Sequence, residues 1–265
     1  MVQADCCINR YCRVTVVVVG MTQRKKYKVC WLSAGISSFI AGYLAGEVDE
    51  WIYIDISDQH PDSLRFIEDC EKVIGKKVTI LRSAEFDSVE AVARKFGYLN
   101  SPYGAACTGM LKKAVRKKWE CEHTDYDLTY VWGMDMNEKH RAERLVQSFP
   151  EFHHEFPLID RDMSKEDAHG LASRLGLKRP MMYDLGYSNN NCIGCVKAGM
   201  GYWNQIRKDF PKVFEARAKL EREIGHSCMN GMFLDELPED AGRMNKEIME
   251  DCGIMCYLAI MEERG

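Results

Sequence analysis

Between Tyr27 and about Pro150, short apolar runs alternate with segments of helical period, and this alternation restricts the chain more than any other feature. KYKVCWL, EWIYID, KVTIL and LTYVWG are too short for buried helices and rich in β-branched or aromatic residues, so each is expected to be a buried strand. SSFIAGYLAG, DSLRFIEDCEKVIG and NEKHRAERLVQ are expected to be helices. In the second, Leu64, Ile67, Cys70 and Val73 or Ile74 recur at helical spacing, and Gly75 supplies a stop. Strands separated by helices join through crossovers rather than hairpins. The expected fold is therefore α/β, a mostly parallel sheet with helices on both faces. On such sheets ligands sit beyond the carboxyl ends of the strands, so the loops there carry the functional question.

After Pro157 the strand pattern stops. SKEDAHGLASRLG opens on Ser164 and Asp167 in a capping-box arrangement and closes at Gly176. YWNQIRKDFPKVFEARAKLEREIG reads as helix kinked or divided at Pro211, and a last helical stretch runs from Asp240 towards DCGIMC. Three parts are expected: an N-terminal extension over 1–26, an α/β domain over 27–160, and a cysteine-bearing helical segment over 161–265 that packs on it. VTVVVVG, Val14 to Gly20, is too short to span a bilayer and reads as an extra strand or an attached extension.

Four loops hold candidate chemistry. SAGISS, Ser33 to Ser38, is a small-residue turn between a strand and a helix. There, backbone N–H groups and hydroxyls of Ser33, Gly35, Ser37 and Ser38 can meet a phosphate; a serine-capped turn is the plain alternative. The loop Asp55-Ile56-Ser57-Asp58-Gln59-His60 follows the second strand; Asp55, Asp58 and His60 are ligand candidates, solvated loop residues or helix caps. AACTGMLKKAVRKKW gathers Lys112, Lys113, Arg116, Lys117 and Lys118 behind Cys107, an anion site or a solvated helix face. GMDMNEKHRAERL offers Arg141, whose planar fork suits phosphate or sulfate, unless it pairs with Glu138 along a helix. A net charge of −4 argues against a generally basic nucleic-acid binder, while a local patch keeps nucleic acid open as a partner.

The chain has twelve cysteines and is too long to need a disulfide framework. The expected setting is a reducing cytoplasm, with no membrane, and a homo-oligomer is left open. There, the pair in NNNCIGCVK, Cys192 and Cys195, has three readings. Structural zinc would need a second pair, Cys252 with Cys256 or Cys107 with Cys228. A redox dithiol would want a helix N-terminus directly after it. An iron–sulfur cluster would take Cys107, Cys192 and Cys195, with the fourth ligand either missing or supplied by Cys228, Cys252 or Cys256. Cys30 and Cys70 fall on apolar positions and are expected in the core; Tyr202 and Trp203 are read as packing.

Together these stretches resemble the adenine nucleotide alpha-hydrolase-like (PP-loop) superfamily and, within it, the adenylylsulfate and phosphoadenylylsulfate (APS/PAPS) reductases. SAGISS resembles the family's serine-rich PP-loop, and IDISDQHPDSLRFIED its strand, polar loop and helix start. Cys107 with Lys112, followed 85 residues later by NCIGC, resembles the cysteine and lysine elements of the iron–sulfur members. DCGIM, Asp251 to Met255, resembles the motif that carries the nucleophilic cysteine. The resemblance implies an adenine nucleotide held by Ser33, Gly35, Ser37, Ser38 and Asp55, with Lys112 and Arg141 at its sulfate end. It also implies a [4Fe-4S] cluster on Cys107, Cys192 and Cys195, a nucleophile in Cys252, and a thioredoxin-like thiol reductant as partner. Ser37 stands where ATP-cleaving members of the superfamily carry a Mg²⁺-binding aspartate, which the reductases do without, so this position favours the reductases. Two positions depart from the reductase pattern: Ala106 replaces the first cysteine of a pair, and Met255 replaces a histidine. A sulfurtransferase that thiolates RNA, DNA or a small molecule is thus the alternative enzyme, and a nucleotide-binding protein without catalysis the alternative outside enzymes.

Overall fold

The structure is a computed structural model, and it describes residues 24–244 except 103 and 230. Five strands form one parallel sheet: β1 (Lys25–Leu32), β2 (Glu50–Ile54), β3 (Val78–Leu81), β4 (Tyr126–Val131) and β5 (His153–Glu155). Their order is β3-β2-β1-β4-β5. The four expected strands are present, and β5 is an addition: HHE is only three residues long and carries no apolar pattern.

Period-two alternation divides the central strands between two cores. Cys30 and Leu32 of β1, with Trp51 and Tyr53 of β2, face α1 (Ile36–Leu44), α2 (Asp62–Ile74) and α6 (Lys165–Arg174). Val29, Trp31, Ile52 and Ile54 point the other way. They face α3 (Val89–Phe96), α4 (Ala114–Glu122), α5 (Lys139–Ser148), the short α7 (Met181–Asp184), α8 (Met200–Asp209) and α9 (Pro211–Ile224). Helices thus cover both faces, as the strand–helix alternation requires. Cys30 and Cys70 lie at zero exposure in the first core, where burial pushes both thiols well above the usual range.

Local chemistry sets the helix ends. Gly75 closes α2 at φ 66° and takes the left-handed conformation that a side chain would resist. Ser164 and Asp167 form the capping box of α6. Pro211 is the first residue of α9 and separates it from α8. The segment that carries Cys192 and Cys195 and the helices after it share one apolar core with β1, β2 and β4. The helical stretch expected from Asp240 lies mostly outside the described residues. Among the described residues, no helix is long and apolar enough to cross a membrane.

Candidate functional site

In the order β3-β2-β1-β4-β5 the chain moves outward in one direction from β1 and in the other from β4. A crevice opens beyond the carboxyl ends of two such neighbours, because their following loops diverge. β1 delivers Ser33, Ala34 and Gly35 to that place, and β4 delivers Gly133, Met134 and Asp135. The β4 loop meets the first turn of α1: a Cβ on Gly133 would lie 2.5 Å from Ser38 Cα and 2.6 Å from Ser38 N. Only glycine permits this approach.

The serine loop is held from within. Ser38 Oγ accepts the Ser33 N–H at 3.1 Å, donates to the Gly35 carbonyl at 2.9 Å and lies 3.1 Å from Ser33 Oγ. Gly35 N–H donates to Ser33 Oγ at 3.2 Å. Ser38 therefore shapes the loop rather than projecting from it. Gly35 is the N-cap of α1, no side chain caps the helix, and its first turn holds no acidic residue. An uncapped N-terminus with small residues around it favours an anion through its amides and dipole. Ala34 sits at φ 57°, a left-handed conformation that costs a non-glycine residue energy and needs outside support.

That support comes from the asparagine-rich stretch. Asn190 Nδ2 donates to the Ala34 carbonyl at 2.8 Å and to Ser63 Oγ at 3.0 Å. Asn189, Asn190 and Asn191 are all buried. The loop that carries the cysteine pair is thereby bonded to the loop expected to take phosphate. A second tie is the Ile193 N–H, which donates to the Asp58 carbonyl at 2.8 Å. The Asp58 side chain is 13% exposed and caps the first N–H of α3. Its carboxylate accepts the Val89 N–H at 2.7 Å and pairs with buried Arg217 at 3.1 Å. His60 Nδ1 accepts the Asp62 N–H, a local cap at the start of α2.

Cys192 and Cys195 occupy a turn set by Gly194 at φ 71°, where a Cβ would also meet Val213 at 2.9 Å. The Tyr202 hydroxyl accepts the N–H groups of Gly194 and Cys195 and donates to the Cys192 carbonyl at 3.0 Å. Tyr202 is thus more than packing, because it fixes the turn. Burial pushes its own hydroxyl well above the usual range. Cys107 comes from the other side of the site, at the start of a π-helical segment, Thr108–Lys113. Such wide turns are frequent at functional sites. The sequence marks this segment by its charge and by Cys107 with Lys112, but its π form is not legible there, because a π turn has no simple sequence period.

The three cysteines line one cavity, together with Ile56, Val89, Thr108, Leu111, Lys112, Val196 and Lys197. Lys112 is only 8% exposed. It acts on Tyr53, whose hydroxyl is pushed up by burial and by Asp55 and held back by Lys112. Cys228 does not line the cavity; its amide donates to the buried carboxylate of Glu221 at 2.6 Å, and burial raises its thiol. Among the described residues, no three His, Cys, Asp or Glu side chains stand ready around a metal ion. The donor chemistry nevertheless fits an iron–sulfur group: three thiols on one largely aliphatic cavity, two lysines, and a buried Thr108 hydroxyl with no hydrogen-bond partner among the described residues.

The remaining expected residues flank this centre. Asp55, at the end of β2, is ion-paired with Arg82 at 2.6 Å. Arg141 is buried on α5 and pairs with Glu138, whose carboxylate also accepts the Asp135 N–H at 3.2 Å. Cys252 and Cys256 lie outside the described residues. Gly133, Asn190, Tyr202 and Thr108 were not picked out as functional. The run of three asparagines before the cysteine pair was the visible signal for one of them.

No family model matches the chain, and no curated protein matches it. Among solved structures, it is similar to the crystal structure of phosphoadenylyl-sulfate (PAPS) reductase from Candida auris in complex with phosphate. The TM-score is 0.46 and the identity 14%, and the match covers 64% of this chain and 82% of that one.

Proposed function

We propose that the chain is an adenine-nucleotide enzyme of sulfur chemistry, of the sulfonucleotide reductase kind, with a [4Fe-4S] cluster on Cys107, Cys192 and Cys195. The observation that carries this reading is the juxtaposition of two sites: three cysteines on one cavity, and Asn190 bonding their loop to an uncapped serine loop at the strand ends. The cluster, when bound, would supply Lewis-acidic iron and polarisable sulfide beside the substrate. The protein's own residues do the rest. The α1 N-terminus, with Ser33, Gly35 and Ser37, binds the nucleotide phosphate, and Ser38 keeps the loop in shape. Asp55, at the end of β2, contacts the nucleotide from the neighbouring strand-end loop. Lys112 and Arg141 offset the charge at the sulfate end. Cys252 as thiolate attacks the sulfur of the sulfate; a sulfur–oxygen bond breaks, the adenine nucleotide leaves, and a cysteine thiosulfonate remains. A thioredoxin-like dithiol then attacks the cysteine sulfur, releases sulfite and becomes a disulfide.

One observation favours a second reading, sulfur transfer to RNA, DNA or a small molecule. Among the described residues, three and not four cysteines line the cavity, and Ala106 stands beside Cys107 where a fourth would be. Cys107, Cys192 and Cys195 as the sole protein thiolates would leave a bound cluster able to take an external sulfur ligand.

Anaerobic purification decides between these. Iron and sulfide are counted, adenine nucleotide binding is measured by calorimetry, and sulfite is assayed with APS or PAPS and a dithiol. Cluster, binding and sulfite support the reductase. ATP- and Mg²⁺-dependent sulfur transfer without sulfite supports the second reading. Stoichiometric zinc without sulfide, or no nucleotide binding, sinks both.

A further inference from the structure

Thr108 follows Cys107 directly and borders the cavity that the three cysteines line. It is only 4% exposed, and its Oγ1 has no solvent contact and no hydrogen-bond partner among the described residues. The setting differs from that of the hydroxyls around it. Ser38 Oγ is satisfied within its loop, and Tyr202 Oη serves three backbone groups of the cysteine turn. Threonine is also poorly placed here as mere filling, because valine has the same shape without a hydroxyl to desolvate. Helical serine and threonine usually return their hydroxyl to a carbonyl one turn back, and Thr108 does not. Thr108 borders the cavity alongside the thiols and aliphatic side chains, and no group among the described residues takes its hydroxyl.

We infer that Thr108 is a positioning residue that donates its hydroxyl hydrogen bond to a sulfur of the group held by Cys107, Cys192 and Cys195. The inference rests on the iron–sulfur reading of that cavity. Hydrogen bonds to the sulfurs of such a group stabilise its more reduced, more negative state and so raise its potential. The nearby Lys112 and Lys197 would act in the same direction by charge, whereas Thr108, among the described lining side chains, offers a neutral, directional donor from the helix that bears Cys107.

The test uses the full chain, reconstituted anaerobically with iron and sulfide, as wild type, Thr108→Val and Thr108→Ser. All three should load equal iron and sulfide. Thr108→Val should move the reduction potential to a more negative value and shift the visible charge-transfer bands, while Thr108→Ser should stay near wild type. Before loading, Thr108→Val should melt at or above the wild-type temperature, since it removes a donor without a protein partner. A lower melting temperature of unloaded Thr108→Val would mean that the hydroxyl serves the protein itself, and would overturn the inference. Equal potentials and spectra in wild type and Thr108→Val would overturn it too, while leaving the cysteine cavity intact. A wild-type protein that takes up no iron or sulfide would overturn both.

Discussion

Replacing Gly133 by alanine tests the architecture of the site at one atom. The new Cβ would sit 2.5 Å from Ser38 Cα, 2.6 Å from Ser38 N and 2.9 Å from Ser37 C. Ordinary van der Waals contact begins about 1 Å farther out, and all three atoms are backbone, so no side chain can swing aside. Either the β4 loop or the first turn of α1 must move. Overpacking of this kind costs about 1–3 kcal/mol. Movement of Ser38 also strains its bonds to Ser33 N–H and the Gly35 carbonyl, for about 1 kcal/mol more. A total of about 2–4 kcal/mol corresponds to a melting temperature lowered by about 4–16 °C in a domain of this size. Thermal unfolding reads the first effect, and calorimetry with an adenine nucleotide reads the second, since the displaced residues form the expected phosphate loop. Gly170→Ala is the control. It lies within α6, its nearest neighbour is the flexible Arg174 guanidinium at 3.6 Å, and it should stabilise by about 0.4–1 kcal/mol. If Gly133→Ala melts with wild type, the close approach of β4 to α1 is wrong. If it melts lower but binds nucleotide unchanged, the loop is not the phosphate site.

Asn190→Leu keeps the volume but leaves the Ala34 carbonyl and Ser63 Oγ without their donor, at about 1–3 kcal/mol for each buried group. Nucleotide affinity and iron retention should fall together, and independent behaviour of the two would refute the coupling of the loops. Cys252→Ser should keep iron, sulfide and nucleotide binding but lose turnover, and mass spectrometry of wild type with APS or PAPS should detect a sulfite adduct on Cys252; loss of iron without any wild-type adduct makes Cys252 a ligand instead. His154 is held below the usual histidine range by burial, with a weaker opposing effect from its bond to the Phe149 carbonyl; its Nδ1 accepts the Trp132 indole N–H, which requires the neutral ring. A depressed folded-state value means stability that is present above about pH 6.5, the unfolded value, and lost as pH falls towards the folded one. His154→Gln should flatten that slope in urea titrations at successive pH values, and an unchanged slope would remove His154 as its source.

The sequence by itself determined whatever depends on neighbours along the chain. Strands buried on both faces must be continuous apolar runs, so β1, β2 and β4 were legible, as was the short apolar run of the edge strand β3, whose Ile80 is exposed, and with them the parallel α/β class. Gly75, the Ser164–Asp167 pair and Pro211 act on backbone groups within a turn of themselves, so the ends of α2, α6 and α9 were legible too. Short or irregular elements were not. α3 spans eight residues and β5 three, too few to establish a period, although Ser88 caps α3 and Gly97 closes it at φ 73°. The spacing of Cys107, Cys192 and Cys195 suggested a common site, but spacing does not fix a cavity. Only the tertiary structure set the strand order β3-β2-β1-β4-β5, and so the crevice between β1 and β4. Only it seated Gly133 on Ser38 and aligned Thr108 with the cysteines. Asn190 lies 156 residues from the carbonyl it holds. No local period encodes a contact at that separation, because it exists only once the sheet has brought both loops to the same edge.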